Sequence, residues 1–188
     1  MRWNKDTIGL SVESPELLGS TMIAMAVWNS VDCGRLKLAL DLASENKIAL
    51  LPKKDWPFEA KALGVTTLTH SGPQKILSKV RIDLNQDAGV WSATDYQNVL
   101  LHELGHVLGL EHVEQFDAVM HPYTQLGYFE LKLSQTDKKN FCELIPVEQG
   151  PQTGCSQTGY STDMGLFGVV ILALLICCTA RKHSSIWL

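Results

Sequence analysis

Residues 102–112 read HELGHVLGLEH, placing His102, His106 and His112, with Glu103 beside the first of them, in one short stretch. Imidazoles four residues apart on a helix share a face, one turn above the other, so His102 and His106 can grip one metal ion. A third ligand further along the same helix would rise away from that ion, so the helix has to end before His112. Gly109 is the helix-ending glycine, because glycine accepts a positive φ at little cost; the chain can then return His112 to the ion. Three protein ligands leave the fourth position of a zinc ion open to water, which is the catalytic arrangement. Such an ion lowers the pKa of its water from about 15.7 towards 7. Glu103 stands where it can take the proton as water attacks a carbonyl, then pass it to a leaving amine. H-E-x-x-H alone arises by chance in many helices, whereas H-E-x-x-H-x-x-G-x-x-H is far more restrictive. Glu111 falls outside the pattern and reads as a solvated charge. Gly105 lies mid-helix, where it costs about 1 kcal/mol relative to alanine; close packing beneath the site would account for it.

The elements around this stretch are legible as periodicities. Thr94 and Gln97 have capping-box spacing and predict a helix from there to about Gly109. Ser14 followed by Pro15 predicts an earlier helix start, with Leu18, Met22 and Met25 on one face, Leu17, Ala24, Trp28 and Val31 beside it, and an end near Gly34. Ser134 with Asp137 predicts a last helix through "DKKNFCELI". Thr7 to Val12, Ile48 to Leu51 and Val65 to Thr69 suit strands. Leu36, Leu38, Leu40 and Leu42 alternate with polar residues. Val80, Ile82 and Leu84 alternate with Lys79, Arg81 and Asp83, whose charge suggests an exposed or edge strand.

The chain has 188 residues, 45% hydrophobic and 19% charged, with a net charge of -4. That is one ordinary globular domain's worth of sequence, without the basic footprint that nucleic-acid binding needs. No repeat is found, and a monomer is expected. Of five cysteines none forms a C-x-x-C pair. Cys33 and Cys142 are alone in the globular part and read equally as a disulfide or as two buried thiols.

From His102 onward the sequence resembles the metzincin zinc metallopeptidases, and within them the matrixins (peptidase family M10 type). "DAVMHPY" follows the third histidine, and Met120 stands where that family has its Met-turn methionine. Pro122, with Tyr123 after it, matches the residues that wall the S1′ pocket. "RWNKDTIGLSV", "AMAVWNSV", "WPFEAKALGVT", "KVRIDLN" and "LSQTDKKNFCELIP" resemble matrixin strands and helices, so the resemblance covers about residues 1–146. It implies an α+β fold: a twisted mixed sheet, mostly parallel with an antiparallel edge strand, an active-site helix and a C-terminal helix. It also implies one catalytic Zn2+ on His102, His106 and His112, Glu103 as general base, Met120 supporting the site from below, and a protein or peptide substrate added along the edge strand. The structural-zinc histidines of the family are absent, only His70 lying in that region. Asp83 and Asp87 have calcium-binding chemistry, but surface carboxylates are the simpler expectation. Tyr123 is three residues past Met120, not the two at which some metzincins carry an oxyanion-stabilising tyrosine. His121 reads as a surface or cleft-rim residue. The alternative to a zinc endopeptidase is a membrane-tethered binding protein with a zinc-stabilised fold and no turnover.

Residues 147–163 have linker composition. Met164 to Ala180 carries no charge and is followed by Arg181, Lys182 and His183. As a helix it would span about 25 Å, slightly less than a ~30 Å hydrocarbon core. A transmembrane helix is expected here, with residues 181–188 as a cytoplasmic tail and the domain periplasmic or extracellular. The order of Cys155, polar spacer, apolar segment and basic residues resembles bacterial C-terminal sorting tails of the myxobacterial type, in which Cys155 would be the processed cysteine. That topology needs export, so the chain is expected to begin downstream of a signal peptide. A bacterial envelope location follows, membrane-anchored or processed and surface-attached.

Overall fold

A computed structural model describes residues 2–33, 36–73, 75–123, 126–127 and 129–144. Cys155, the linker, the apolar segment 164–180 and the basic tail lie outside the described residues. Among the described residues no helix is long and apolar enough to cross a membrane.

Six strands form one sheet: β1 (Arg2–Trp3), β2 (Thr7–Val12), β3 (Lys37–Leu40), β4 (Lys47–Leu51), β5 (Gly64–Ser71) and β6 (Ile76–Asn85). The order across it is β3, β2, β4, β6, β5, and β1 meets β6 on the β4 side. Every pairing is parallel except β5 with β6. The mixed sheet with one antiparallel edge strand is therefore present. Among the described residues three α-helices accompany it: α1 (Leu18–Asn29), α2 (Ala93–Leu108) and α3 (Gln135–Leu144). Ile8, Leu10, Ile48, Val80, Ile82 and Leu84 are fully buried in one core with residues of α1 and α2. Each such side chain stabilises the fold by about 1.5–3 kcal/mol.

A bulge explains how Leu77 and Val80, three apart, both reach this core. The β5–β6 register jumps between Thr69 and His70, so Thr69 faces Lys79 while His70 faces Leu77. Ser78 is the extra residue, and the alternation of β6 resets around it.

Several expectations need correction. β6 is not an edge strand: it lies between β4 and β5. Alternating charge reports that one face of a strand is polar, and an interior strand with one polar face alternates in the same way. Nor is Asp83 a surface carboxylate; it is buried, with Arg81 Nε 2.8 Å and 3.0 Å from its two oxygens. Ser14 does not cap α1. Its hydroxyl accepts the Leu50 N–H at 2.9 Å, a 3₁₀ turn over Pro15–Leu17 intervenes, and the helix ends at Asn29. The buried face of α1 carries Ser20, Thr21, Ala24, Met25 and Trp28, while Leu18 and Met22 are exposed. Likewise Leu38 of β3 is buried but Leu40 and Leu42 are exposed, because β3 is the outer edge of the sheet.

Candidate metal centre

The helix that carries His102 and His106 begins with a capping box, although not at the expected residues. Ser92 is the N-cap; its hydroxyl accepts the Asp95 N–H, and Asp95 accepts the Ser92 N–H in return. The Thr94–Gln97 spacing is coincidental, two residues too late. Two indoles then pin the helix from outside. Trp3 of β1 donates its Nε1–H to the Val107 carbonyl at 2.7 Å, and Trp28 of α1 donates to the Leu101 carbonyl at 2.8 Å.

Gly109 ends α2 as expected, with φ 101°. The Leu110 N–H reaches back to the Gly105 carbonyl and the Gly109 N–H to the His106 carbonyl, both at 3.0 Å, the pattern of a left-handed glycine cap. This turn has a second use, since the Leu110 carbonyl lies 2.9 Å from His106 Nδ1. His102 Nδ1 lies 2.7 Å from the Val119 carbonyl. Each carbonyl holds a proton on Nδ1, and so turns the Nε2 lone pair of its ring inward.

The structure brings the three imidazoles together. His112 Nε2 is 3.1 Å from His102 Nε2 and 3.2 Å from His106 Nε2. A tetrahedral ion with bonds of 2.0–2.1 Å would set its nitrogens about 3.3 Å apart. With both Nδ1 atoms protonated, a single proton on His112 Nε2 could point at only one of its two neighbours, whereas a cation satisfies all three lone pairs. The donor set therefore fits zinc. Burial pushes the His102 imidazole down to about 4, with the neighbouring His106 adding to it. His106 and His112 are also lowered, by burial first. All three shifts favour the neutral form that ligation requires. His112 is exposed, and the cage opens on its side.

Met120 lies beneath the cage, 1% exposed. Gly105 packs against it: a Cβ there would collide with Met120 Sδ and lie 3.1 Å from Trp28. Close packing beneath the site is thus why glycine stands mid-helix. The turn carrying Met120 is fastened from α3 by a residue whose role here has no sequence signature. Asp137, 1% exposed, accepts the N–H groups of Val119 (2.9 Å) and Met120 (3.1 Å) as well as that of Ser134 (2.8 Å). The Ser134–Asp137 box predicted the helix start but not this reach across to the turn. α3 is itself held by Phe141, edge-on to Trp28, and by a Cys33–Cys142 disulfide, which resolves the open choice for those cysteines.

Glu103 faces a cleft of about 550 Å³ whose lining includes the three histidines, Gly64 to Thr66 of β5, and Pro122 and Tyr123. Burial pushes its carboxyl up to about 7 against the pull of a hydrogen bond from Thr66 Oγ1, 2.6 Å from Oε2. Gly64 leaves the carboxylate its room, since a Cβ there would stand 2.8 Å from Oε1. Both residues were missed by sequence reasoning. Their relation to Glu103 depends on how β5 meets α2, and nothing local encodes it. Pro122 and Tyr123 line the cleft, and His121 Nδ1 accepts the Tyr123 N–H at 3.3 Å. Glu111 is exposed, as expected, and so is His70. Asp87 is exposed too; it accepts the Lys53 N–H, and Arg81 holds Asp83, so the two aspartates form no joint calcium cradle.

Comparison with known proteins agrees with this geometry. A segment of 88 residues, 45% of the chain, is 31% identical to Metalloendoproteinase 2-MMP of Arabidopsis thaliana, covering 23% of that protein. A segment of 58 residues, 30% of the chain, is 40% identical to Matrix metalloproteinase-B of Caenorhabditis elegans, covering 11% of it. The chain thus matches under a quarter of the length of these curated relatives. The family model for matrixin matches residues 42–145, more than half of the 188 residues, and on that match the chain belongs to the matrixin family.

Proposed function

We propose that this chain is a zinc-dependent endopeptidase. The observation that carries the reading is the convergence of three imidazole nitrogens beside a buried carboxylate that faces an open cleft. A zinc ion held by His102, His106 and His112 would supply Lewis acidity, acidifying a water and polarising a peptide carbonyl. Glu103 does the proton work. It removes a proton from the attacking water and releases it to the amine nitrogen as the C–N bond breaks. The substrate is an extended peptide lying along β5, which among the described residues is hydrogen-bonded on the β6 side alone. Pro122 and Tyr123 wall the pocket for the side chain just past the cleaved bond. The identities of the two named relatives, both metalloproteinases, support this assignment.

We place the domain outside the cytoplasm, held by residues 164–180 as a membrane segment or processed at Cys155 in a bacterial envelope. The Cys33–Cys142 disulfide supports an oxidising compartment.

The decisive experiment is a peptide-library cleavage assay on the zinc-loaded protein with Glu103→Ala as the comparison. Cleavage should fall by about 10²–10⁴-fold, the usual scale for losing a general base, while one zinc per chain is retained. A chelator should abolish cleavage, and zinc should restore it. Undiminished cleavage by the Glu103→Ala protein, or by the metal-free protein, would refute the assignment. Zinc binding with no cleavage at all would favour a non-catalytic binding protein.

A further inference from the structure

Among the described residues, Thr66 is the only one whose side chain hydrogen-bonds to Glu103. Its hydroxyl comes from the edge strand, 37 residues away in sequence, and lies 2.6 Å from Oε2 and 3.2 Å from the Glu103 backbone carbonyl. Oε1 accepts no hydrogen bond from the described residues and lies against the bare backbone of Gly64, two residues earlier on β5. The two carboxylate oxygens are therefore not equivalent. One is tethered to β5, and the other is left to whatever enters the cleft.

We propose that Thr66 is the positioning residue for Glu103, holding Oε2 so that Oε1 alone exchanges protons with water and with the departing amine. This rests on the peptidase reading above. The proton count closes. An attacking water forms its bond to the peptide carbon and gives a proton to Oε1; the C–N bond then breaks, and Oε1 gives that proton to nitrogen. Through both steps the Thr66 proton stays on Oγ1. Oε2 accepts it as a carboxylate oxygen and again as the carbonyl oxygen of the acid protonated on Oε1. Protonation on Oε2 would break this bond and turn the hydroxyl towards the longer contact with the Glu103 carbonyl. Thr66 thus works in both protonation states without moving.

Valine has threonine's shape and branching but no hydroxyl, and it suits a strand equally well. In Thr66→Val, kcat should fall by about tenfold or more, the scale of a lost hydrogen bond to a charged group. KM should stay within about twofold and zinc content unchanged, because valine keeps the shape and main chain of β5 and the Thr66 hydroxyl is not among the proposed zinc ligands. Thr66→Ser should recover most of the lost kcat. Wild-type kcat in Thr66→Val, or equal impairment of the serine variant, would overturn the proposal. A second readout does not depend on turnover. In the nuclear magnetic resonance spectrum of the whole protein, the Thr66 hydroxyl proton should exchange slowly with water and lose that protection in Glu103→Ala. Free exchange in the wild type overturns the pairing itself. A protected hydroxyl in a zinc-loaded protein that cleaves nothing would overturn the catalytic part along with the peptidase reading, while leaving the contact in place.

Discussion

Beneath the three imidazoles, α2, the turn at residues 118–120 and α3 meet through hydrogen bonds buried at both ends. Val119 and Met120 donate to Asp137, His102 donates to Val119, and Trp28 donates to Leu101. Across the cleft β5 is paired only with β6 among the described residues, and its residues are half-buried or exposed. The floor is fixed by groups that have no alternative partner in water. The wall reaches the chemistry through two small residues, the Thr66 hydroxyl and the absent side chain of Gly64. Damage to the floor should therefore appear first in stability and metal affinity, and damage to the wall in turnover.

The largest effect should come from Asp137→Ala. It strands the buried N–H groups of Val119 and Met120, at about 1–3 kcal/mol each. Chemical denaturation of the zinc-free protein should show a loss of about 2–5 kcal/mol. Zinc affinity should fall as well, because the Val119 carbonyl that orients His102 moves with its turn. Unaltered zinc affinity alongside lost stability would separate the floor from the cage and break the comparison on that side.

On the wall, Gly64→Ala places a methyl group 2.8 Å from both Glu103 Oε1 and Val99 Cγ1. An edge strand can yield outward, so the stability loss should stay near about 1 kcal/mol, the low end for overpacking. Displacement of the proposed general base is less forgiving, and kcat should fall by about 10- to 100-fold. Steady-state kinetics beside a denaturation curve gives both numbers; a stability loss without a kinetic one would reverse the assignment of Gly64.

The smallest effect tests the end of α2 farthest from the cage. Burial pushes the Asp95 carboxyl up, but its bonds from Ser92 and from the Gly127 N–H outweigh this, and its pKa lies below the ordinary aspartate value. A depressed carboxylate pKa contributes stability above the unfolded value of about 3.9, and that contribution disappears as pH falls through the folded value. Asp95→Asn should therefore cost about 1 kcal/mol at neutral pH, as cap losses do. The gap from wild type should narrow below about pH 4. A gap that widens in acid would contradict the sign.

The same division marks what the sequence made legible. His102, His106, Gly109 and His112 lie within eleven residues, so helix geometry and one turn suffice to assemble the cage. Met120 and Pro122 came from resemblance to a family. Thr66 and Gly64 carry no local signal, because their meeting with Glu103 depends on the register of a strand against a helix. Asp137 gave half its role away, the half that is three residues from Ser134. Capping and edge assignments failed where two patterns share one spelling: Thr94–Gln97 has a capping spacing but sits inside the helix, and β6 alternates as an edge strand would although it lies inside the sheet.

Cys33 and Cys142, 109 residues apart, bracket β3 to β6, α2, the methionine turn and most of α3. Their bond closes this stretch into a covalent ring that contains all three proposed zinc ligands. One break in the backbone anywhere within it, self-inflicted or not, leaves a single molecule. Re-docking of the severed ends is then intramolecular, at the high effective concentration that a tether provides. For a chain whose proposed work is cutting peptides, two sulfur atoms thus confer resilience to its own nicks.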